Sequence, residues 1–204
     1  MRGVVVGQDG VARCPWGAST PEYVAYHDQE WGRPDGDNRR VFETLCLEGF
    51  QAGLSWLTIL RKRDGFRRAF ASFDPDVVAA FVDADVDRLL ADASIVRHRA
   101  KILATIANAR ATVRLRESGT SLAAVVWGHE PPAGRRHHNT GELPASTAES
   151  EALSAELRRR GFGFVGPKTV YSAMQALGVV NDHRDQCQFR ASAQLEREHF
   201  TRPR

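Results

Sequence analysis

The chain has 204 residues, 42% of them hydrophobic and 26% charged, enough to bury a full core as one domain or two lobes at most. No apolar run approaches the ~20 residues that a bilayer-spanning helix needs. Val4-Val5-Val6 is too short, and too soon broken by Gly7, for a signal-peptide core, so the chain is expected to stay in the cytoplasm.

The net charge of +3 is by itself no argument for a nucleic-acid partner, but its distribution is more telling. Arg61, Lys62, Arg63, Arg67 and Arg68 crowd one segment; Arg97, His98, Arg99 and Lys101 form a second cluster, and Arg158, Arg159 and Arg160 a third. These suit either a basic face following a phosphate backbone or solvated helix ends, where cations are favoured. Cys14, Cys46 and Cys187 do not form the even, closely spaced set of a disulfide framework.

In chain order, residues 1–12 are expected to be a loose terminus. Cys46 falls in an apolar helix and is assigned to the core. Val77, Val78, Phe81, Val82, Val86, Leu89 and Leu90 follow helical spacing, preceded by Asp74 as cap and Pro75 as opener, and predict one amphipathic helix. Ile102, Ile106, Ala109 and Val113 predict the next, and Val125-Val126 a short helical turn. Residues 128–141, with Pro131, Pro132, Gly134 and the pair His137-His138, predict a loop. Ser146 and Glu149 fit a capping box ahead of a helix carrying Leu153 and Leu157, which stops at three arginines and Gly161. A further helix is predicted from Pro167 to Leu177 with Gly178 just past its end, and the residues after Phe189 are expected to be loose. No stretch shows a convincing period of 2, so the predicted fold is all-α.

Between Arg158 and Gly178 one helix ends at a glycine, a short turn carries Gly163, Val165 and Gly166, and Pro167 opens the next helix. Exposed N–H groups at that helix start favour a phosphate oxygen, and Lys168 and Thr169 can add contacts. A helix-hairpin-helix grips DNA in this way without reading its sequence; a plain helical connection with no ligand has the same outline.

From about Arg13 to Cys187 the chain resembles the DNA-3-methyladenine glycosylase I family. The matching runs are Arg-Cys-Pro-Trp (13–16), Tyr-Val-Ala-Tyr-His-Asp-Gln-Glu-Trp-Gly (23–32) and Leu-Glu-Gly-Phe-Gln-Ala-Gly-Leu-Ser-Trp (47–56). Arg97-His98-Arg99 with Lys101, Gly-Phe-Gly-Phe-Val-Gly (161–166) and Asn181-Asp182-His183 follow in order. The resemblance implies a single glycosylase domain over residues 13–189 with the helix-hairpin-helix glycosylase fold. It also implies hydrolytic removal of 3-methyladenine from alkylated double-stranded DNA by a monofunctional enzyme, expected to act as a monomer.

Spacing alone is weak support for a metal site in Cys14, His27, His183 and Cys187, because the pairs lie far apart in sequence and small buried cysteines are common. The resemblance assigns these four as ligands of one structural zinc, a set suited to that ion's tetrahedral preference. It matches Tyr26 and Trp56 to residues that stack on the flipped base, Trp16 and Tyr23 to the pocket wall, and Glu48 to the carboxylate that recognises the base, which is also the candidate for the chemistry. Gly53-Leu54 matches the segment that fills the gap left by the base. Phe50 stands where some relatives have Gln and either tunes the pocket or packs. Lys168 lies near the position of a Schiff-base lysine in bifunctional members of the superfamily, and we expect it to contact phosphate instead. Asp182 lies where many helix-hairpin-helix glycosylases carry a catalytic aspartate; with His183 beside it, a supporting role at the metal site is the alternative.

Overall fold

The computed structural model describes residues 3–132 and 143–204. His137 and His138 lie outside the described residues. The chain opens with a hairpin of two short antiparallel strands, β1 (Val5–Val6) and β2 (Ala12–Arg13), with Val5 opposite Arg13. Two strands of two residues each are too short for a period of 2 to show, so residues 1–12 read locally as a loose terminus. A 3₁₀ turn, Pro15–Ala18, leads into ten α-helices among the described residues: α1 (Pro21–Gln29), α2 (Asn38–Gln51), α3 (Trp56–Ala69), α4 (Pro75–Ala79), α5 (Asp83–Ala91), α6 (Arg99–Glu117), α7 (Leu122–Trp127), α8 (Ala148–Arg159), α9 (Pro167–Ala176) and α10 (Arg190–His199). The molecule is mostly helical, as the periodicity predicts.

The helix starts show the expected chemistry. Thr20, Asp37, Ser55, Asp74, Ser121 and Thr147 each accept a backbone N–H from the first turn of the helix they precede. Two local expectations need correction. The helix predicted through Val77–Leu90 is two helices, broken at residues 80–82. The Asp85 carboxylate accepts the Val82 N–H, and Arg110 of α6 donates to the Ala79 and Phe81 carbonyls. A local partner, Asp85, and a distant one, Arg110, satisfy polar groups that continuous helix would have paired. The capping box of α8 is Thr147 with Ser150, and the Ser146 hydroxyl turns to Glu151 instead.

The core gathers around α2, whose residues 41–50 are all buried. Its apolar positions Val41, Phe42, Leu45, Cys46 and Phe50 meet Ile102 and Ile106 of α6, Val126 of α7 and Val170 and Met174 of α9 within one cluster. Phe50 packs on Phe66 and Phe70 at ring separations of 4.6 and 5.9 Å, so it is a core residue. Cys46 is also core, and burial pushes its thiol up to about 12.

The residues after Phe189 are not loose. Helix α10 buries Ala193, and Phe200 stacks obliquely on Trp127 at 4.5 Å. Glu130 pairs with both Arg197 and Arg202. The helix presents only a narrow apolar stripe, so the pairing that anchors it is not visible locally. Helix α9 ends at Gly178, which has φ +66 and sits so close to the backbone of Arg33 and Pro34 that an added Cβ would lie 2.5 Å from it. Gly178→Ala is expected to destabilise the protein by roughly 2 kcal/mol or more, read as a lowered urea midpoint with an unchanged slope.

Candidate active site and metal centre

Two motifs near the N-terminus and one near the C-terminus meet in space. Cys14 caps the 3₁₀ turn, His27 lies in the last turn of α1, and His183 and Cys187 follow α9. All four are buried, and their ligand atoms lie within 4.8 Å of one another. Cys187 Sγ is 3.6 Å from His27 Nε2 and 3.5 Å from His183 Nδ1, and Cys14 Sγ is 3.8 Å from the same His183 nitrogen. Donors held tetrahedrally at ordinary zinc–sulfur and zinc–nitrogen lengths stand about 3.5–3.6 Å apart, so the spacing suits one metal ion. Contacts from Cys14, His183 and His27 hold the Cys187 thiol far below the usual range, which favours the thiolate a metal requires.

The surroundings orient these donors. His27 Nδ1 lies 2.8 Å from Asp28 Oδ1, so a proton shared there leaves the Nε2 lone pair facing the cluster. Asp28 is held in turn by the buried Arg13, whose guanidinium also grips Asp9 of the β-hairpin. A Cβ on Gly17 would lie 2.5 Å from the His27 ring, and one on Gly32 would lie 2.8 Å from His183 Nε2. Both imidazoles therefore pack closely against glycine backbone, where a side chain would not fit. Arg13 and Asp28 were overlooked as site residues, although each adjoins a ligand in the sequence. Asp182, by contrast, accepts from the Tyr171 hydroxyl and from Gln175 Nε2, tying the ligand-bearing segment to α9.

Trp31 links this centre to a second one. Its ring lies 4.8 Å from His183, parallel to His27 at 6.2 Å, and edge-on to Trp16 at 5.0 Å. It was not among the sequence candidates because a tryptophan beside a glycine reads locally as core. Trp16 continues to Tyr23 at 5.6 Å and Tyr26 at 6.2 Å, and Tyr26 to Trp56 at 5.5 Å. The aromatic residues expected to form a pocket thus make one contiguous group, joined to the main core through Trp56, which packs against both.

Glu48 reaches this group from the last turns of α2. It is 5% exposed, and its Oε2 has no hydrogen-bond partner among the described residues; the same holds for Trp56 Nε1. Burial pushes the Glu48 carboxyl up to about 8, so it is mostly neutral at pH 7. Burial first, and then the nearby Glu48 carboxyl, makes the Tyr26 hydroxyl less acidic, pushing its pKa above the ordinary phenol value. A buried acceptor without a partner costs about 1–3 kcal/mol, a cost that a ligand's N–H would remove.

Helix α2 ends in a tight turn in which the Leu54 N–H donates to the Gln51 carbonyl at 2.6 Å and Gly53 has φ +83. Leu54 stands 43% exposed at the tip. The turn between α8 and α9 is also fixed from within. Asn108 of α6 donates to the Gly163 carbonyl at 3.1 Å and accepts the Gly163 N–H at 2.7 Å, and the Ser154 hydroxyl donates to the Val165 carbonyl at 2.6 Å. The N–H of Gly163 is therefore occupied inside the protein and is not offered to DNA. The N–H groups of Gly166, Lys168 and Thr169 lie at the start of α9, where no preceding turn supplies acceptors; Lys168 is exposed.

The three basic clusters differ in kind. Arg61, Arg63 and Arg67 are paired with Glu22, Glu30 and Glu43. Lys101 is buried and bonded to main-chain carbonyls. Arg97, Arg158 and Arg159 are exposed and suit contact with a polyanion, while the exposed Arg99 faces Asp87 at 4.0 Å.

Residues 16–191 match the profile of the methyladenine glycosylase family. The chain is 49% identical over 174 residues to DNA-3-methyladenine glycosylase 1 of Escherichia coli strain K12, covering 84% of this chain and 92% of that one. It is 40% identical to DNA-3-methyladenine glycosylase of Haemophilus influenzae, covering 88% and 98%. A crystal structure of a 3-methyladenine DNA glycosylase I superposes with a TM-score of 0.82 at 48% identity, over 86% of this chain and 98% of that one. The glycosylase I from Staphylococcus aureus, studied for its recognition of 3-methyladenine, gives 0.81 at 34% identity, over 86% and 95%. No helix among the described residues is long and apolar enough to cross a membrane. The chain belongs to the methyladenine glycosylase family and is an enzyme of that kind.

Proposed function

We propose that the chain removes 3-methyladenine from alkylated double-stranded DNA by hydrolysis of the N-glycosidic bond, acting as a monomer on a nucleotide swung out of the helix. The observation that carries this reading is the Glu48 carboxyl, buried beside Tyr26 with one oxygen unpartnered. A related structure holds 3-methyladenine in complex, and the exocyclic amine of that base would donate to Glu48 Oε2. Tyr26 and Trp56 offer ring faces, with Trp16 and Tyr23 behind them, to an electron-poor purine.

Methylation at N3 gives the base a positive charge while it is joined to the sugar. As the C1′–N9 bond breaks, its electron pair passes to the purine and the base departs neutral. Water adds its oxygen to C1′ and loses a proton to solvent. The protein's part is extrusion, stacking and orientation. Entry of the cationic nucleotide favours the ionised form of Glu48, which then stabilises the base edge.

The Cys₂His₂ set suits zinc. Cys14, His27, His183 and Cys187 would hold it, and four protein donors leave no coordination position for water. Its part is structural, joining the two ends of the domain. We assign α8 and α9 as a helix-hairpin-helix in which Gly166, Lys168 and Thr169 meet a phosphate. Leu54 and Gly53 enter the gap left by the base.

Chromatography of bases released from methylated DNA tests the activity. We expect 3-methyladenine and no 7-methylguanine; a folded preparation that binds DNA and releases no base would overturn the reading. Lys168→Ala is expected to weaken duplex binding and to reduce its salt dependence by about one phosphate contact. Borohydride should trap no adduct on abasic DNA with either protein. An adduct lost in the variant would make the enzyme bifunctional.

A further inference from the structure

Helix α6 touches both elements that the proposed function brings to DNA. In its first turn, Lys101 is 7% exposed and donates to the Phe50 carbonyl at 2.9 Å and the Ala52 carbonyl at 2.6 Å. These lie at the end of α2, where carbonyls lack helical donors and the helix dipole is negative. The next residues form the turn whose tip is Leu54. Two turns further along the same face of α6, Asn108 clamps Gly163 of the hairpin.

Phe164 lies between the two. Its ring centre is 5.9 Å from Lys101 Nζ, and His98, the cap of α6, meets it edge-on at 6.3 Å. Its φ of +56 costs a bulky residue about 1 kcal/mol or more, so the surrounding contacts must hold it there. Gly49 of α2 permits this approach, since an added Cβ would lie 3.3 Å from the Phe164 Cβ. A buried ammonium is costly unless its donors are met. An apolar side chain could fill the same space, but it would strand both carbonyls and free the turn at residues 51–54.

We propose that Lys101 is a positioning residue for base extrusion: it locks the turn bearing Leu54 at a fixed spacing from the hairpin, so that Leu54 enters the duplex while the hairpin holds the backbone. This rests on the assignment of Leu54 as the gap-filling residue. Lys101 acts through the main chain and touches no reacting atom.

The test is a mutant cycle on the full chain, read as single-turnover base release from alkylated duplex DNA beside the Kd for undamaged duplex. Leu54→Ala and Lys101→Met are each expected to slow release about 10-fold or more, with the Kd for undamaged duplex within about 2-fold of wild type. The double variant is expected to be no slower than the slower single one, because Lys101 works through Leu54. Lys101→Gln, which can donate to one carbonyl, should recover part of the rate. Multiplicative losses in the double variant, or full activity in Lys101→Met when Leu54→Ala is slow, would overturn the proposal. Full activity in Leu54→Ala would instead refute the gap-filling assignment. Should Lys101→Met fail to fold, Lys101→Gln enters the same cycle and multiplicative losses again count against the proposal.

Discussion

Replacing Glu48 with glutamine is expected to slow 3-methyladenine release by about 10- to 100-fold, the worth of one buried hydrogen bond to a charged group, roughly 1.5–3 kcal/mol. The same substitution should stabilise the free protein increasingly as pH rises. Burial holds the Glu48 carboxyl at about 8 in the folded chain against 4.5 for an ordinary glutamate. The folded state therefore keeps a proton that the unfolded state releases. The stability this group contributes is complete below pH 4.5 and falls by about 1.4 kcal/mol per pH unit as pH rises towards 8, above which it levels off. Glutamine does not titrate, so the gap between Glu48→Gln and wild type should widen in favour of the variant by a few kcal/mol across that window. Urea unfolding at pH 5, 7 and 9 measures it. A gap independent of pH would mean that Glu48 is not a neutral carboxyl in the free enzyme.

Loss of the proposed metal is expected to have the second large effect. A cross-link between segments as distant as Cys14 and His183, 169 positions apart, constrains the unfolded chain by about 5 kcal/mol. For a domain of this size that corresponds to roughly 10–20 °C in melting temperature. Prolonged chelation, or Cys14→Ala with Cys187→Ala, is expected to lower the Tm by that amount and to speed hydrogen exchange first in residues 3–28 and 183–200. Elemental analysis of the untreated protein should find one zinc per chain. A metal-free preparation with an unchanged Tm would show that the four side chains stabilise the fold without an ion. Asp28→Asn, which weakens the hold on His27, should raise the rate of zinc loss about 10-fold or more.

Much of this was legible in the order of residues. Helical spacing located α6, α8 and α9, and Asp74 and Pro167 marked the starts of α4 and α9, because these depend on neighbours within four positions. The long motifs brought forward Cys14, His27, His183, Cys187, Glu48 and the aromatic residues around it. What passed unseen depended on partners far away in sequence. The break after α4 needs Arg110, the order of the last helix needs Glu130 and Trp127, and the support of His27 needs Arg13 to reach Asp28. Charge misled in the same way. Lys101 belongs to a basic cluster in sequence, yet its ammonium points inward to the end of α2, and the N–H of Gly163 faces Asn108 rather than solvent.

The helical class, the family and, through the family motifs, the four Cys and His candidates could be read from the chain alone, since composition, short-range periodicity and motif identity are properties of the chain. The packed fold was needed to show that Glu48 is buried with one oxygen unpartnered, that Trp31 joins the Cys14, His27, His183 and Cys187 cluster to the aromatic group, and that α6 is bonded to both the turn after α2 and the turn between α8 and α9. The physical reason is that burial and hydrogen-bond satisfaction belong to the packed molecule, in which residues more than a hundred positions apart set one another's charge and orientation.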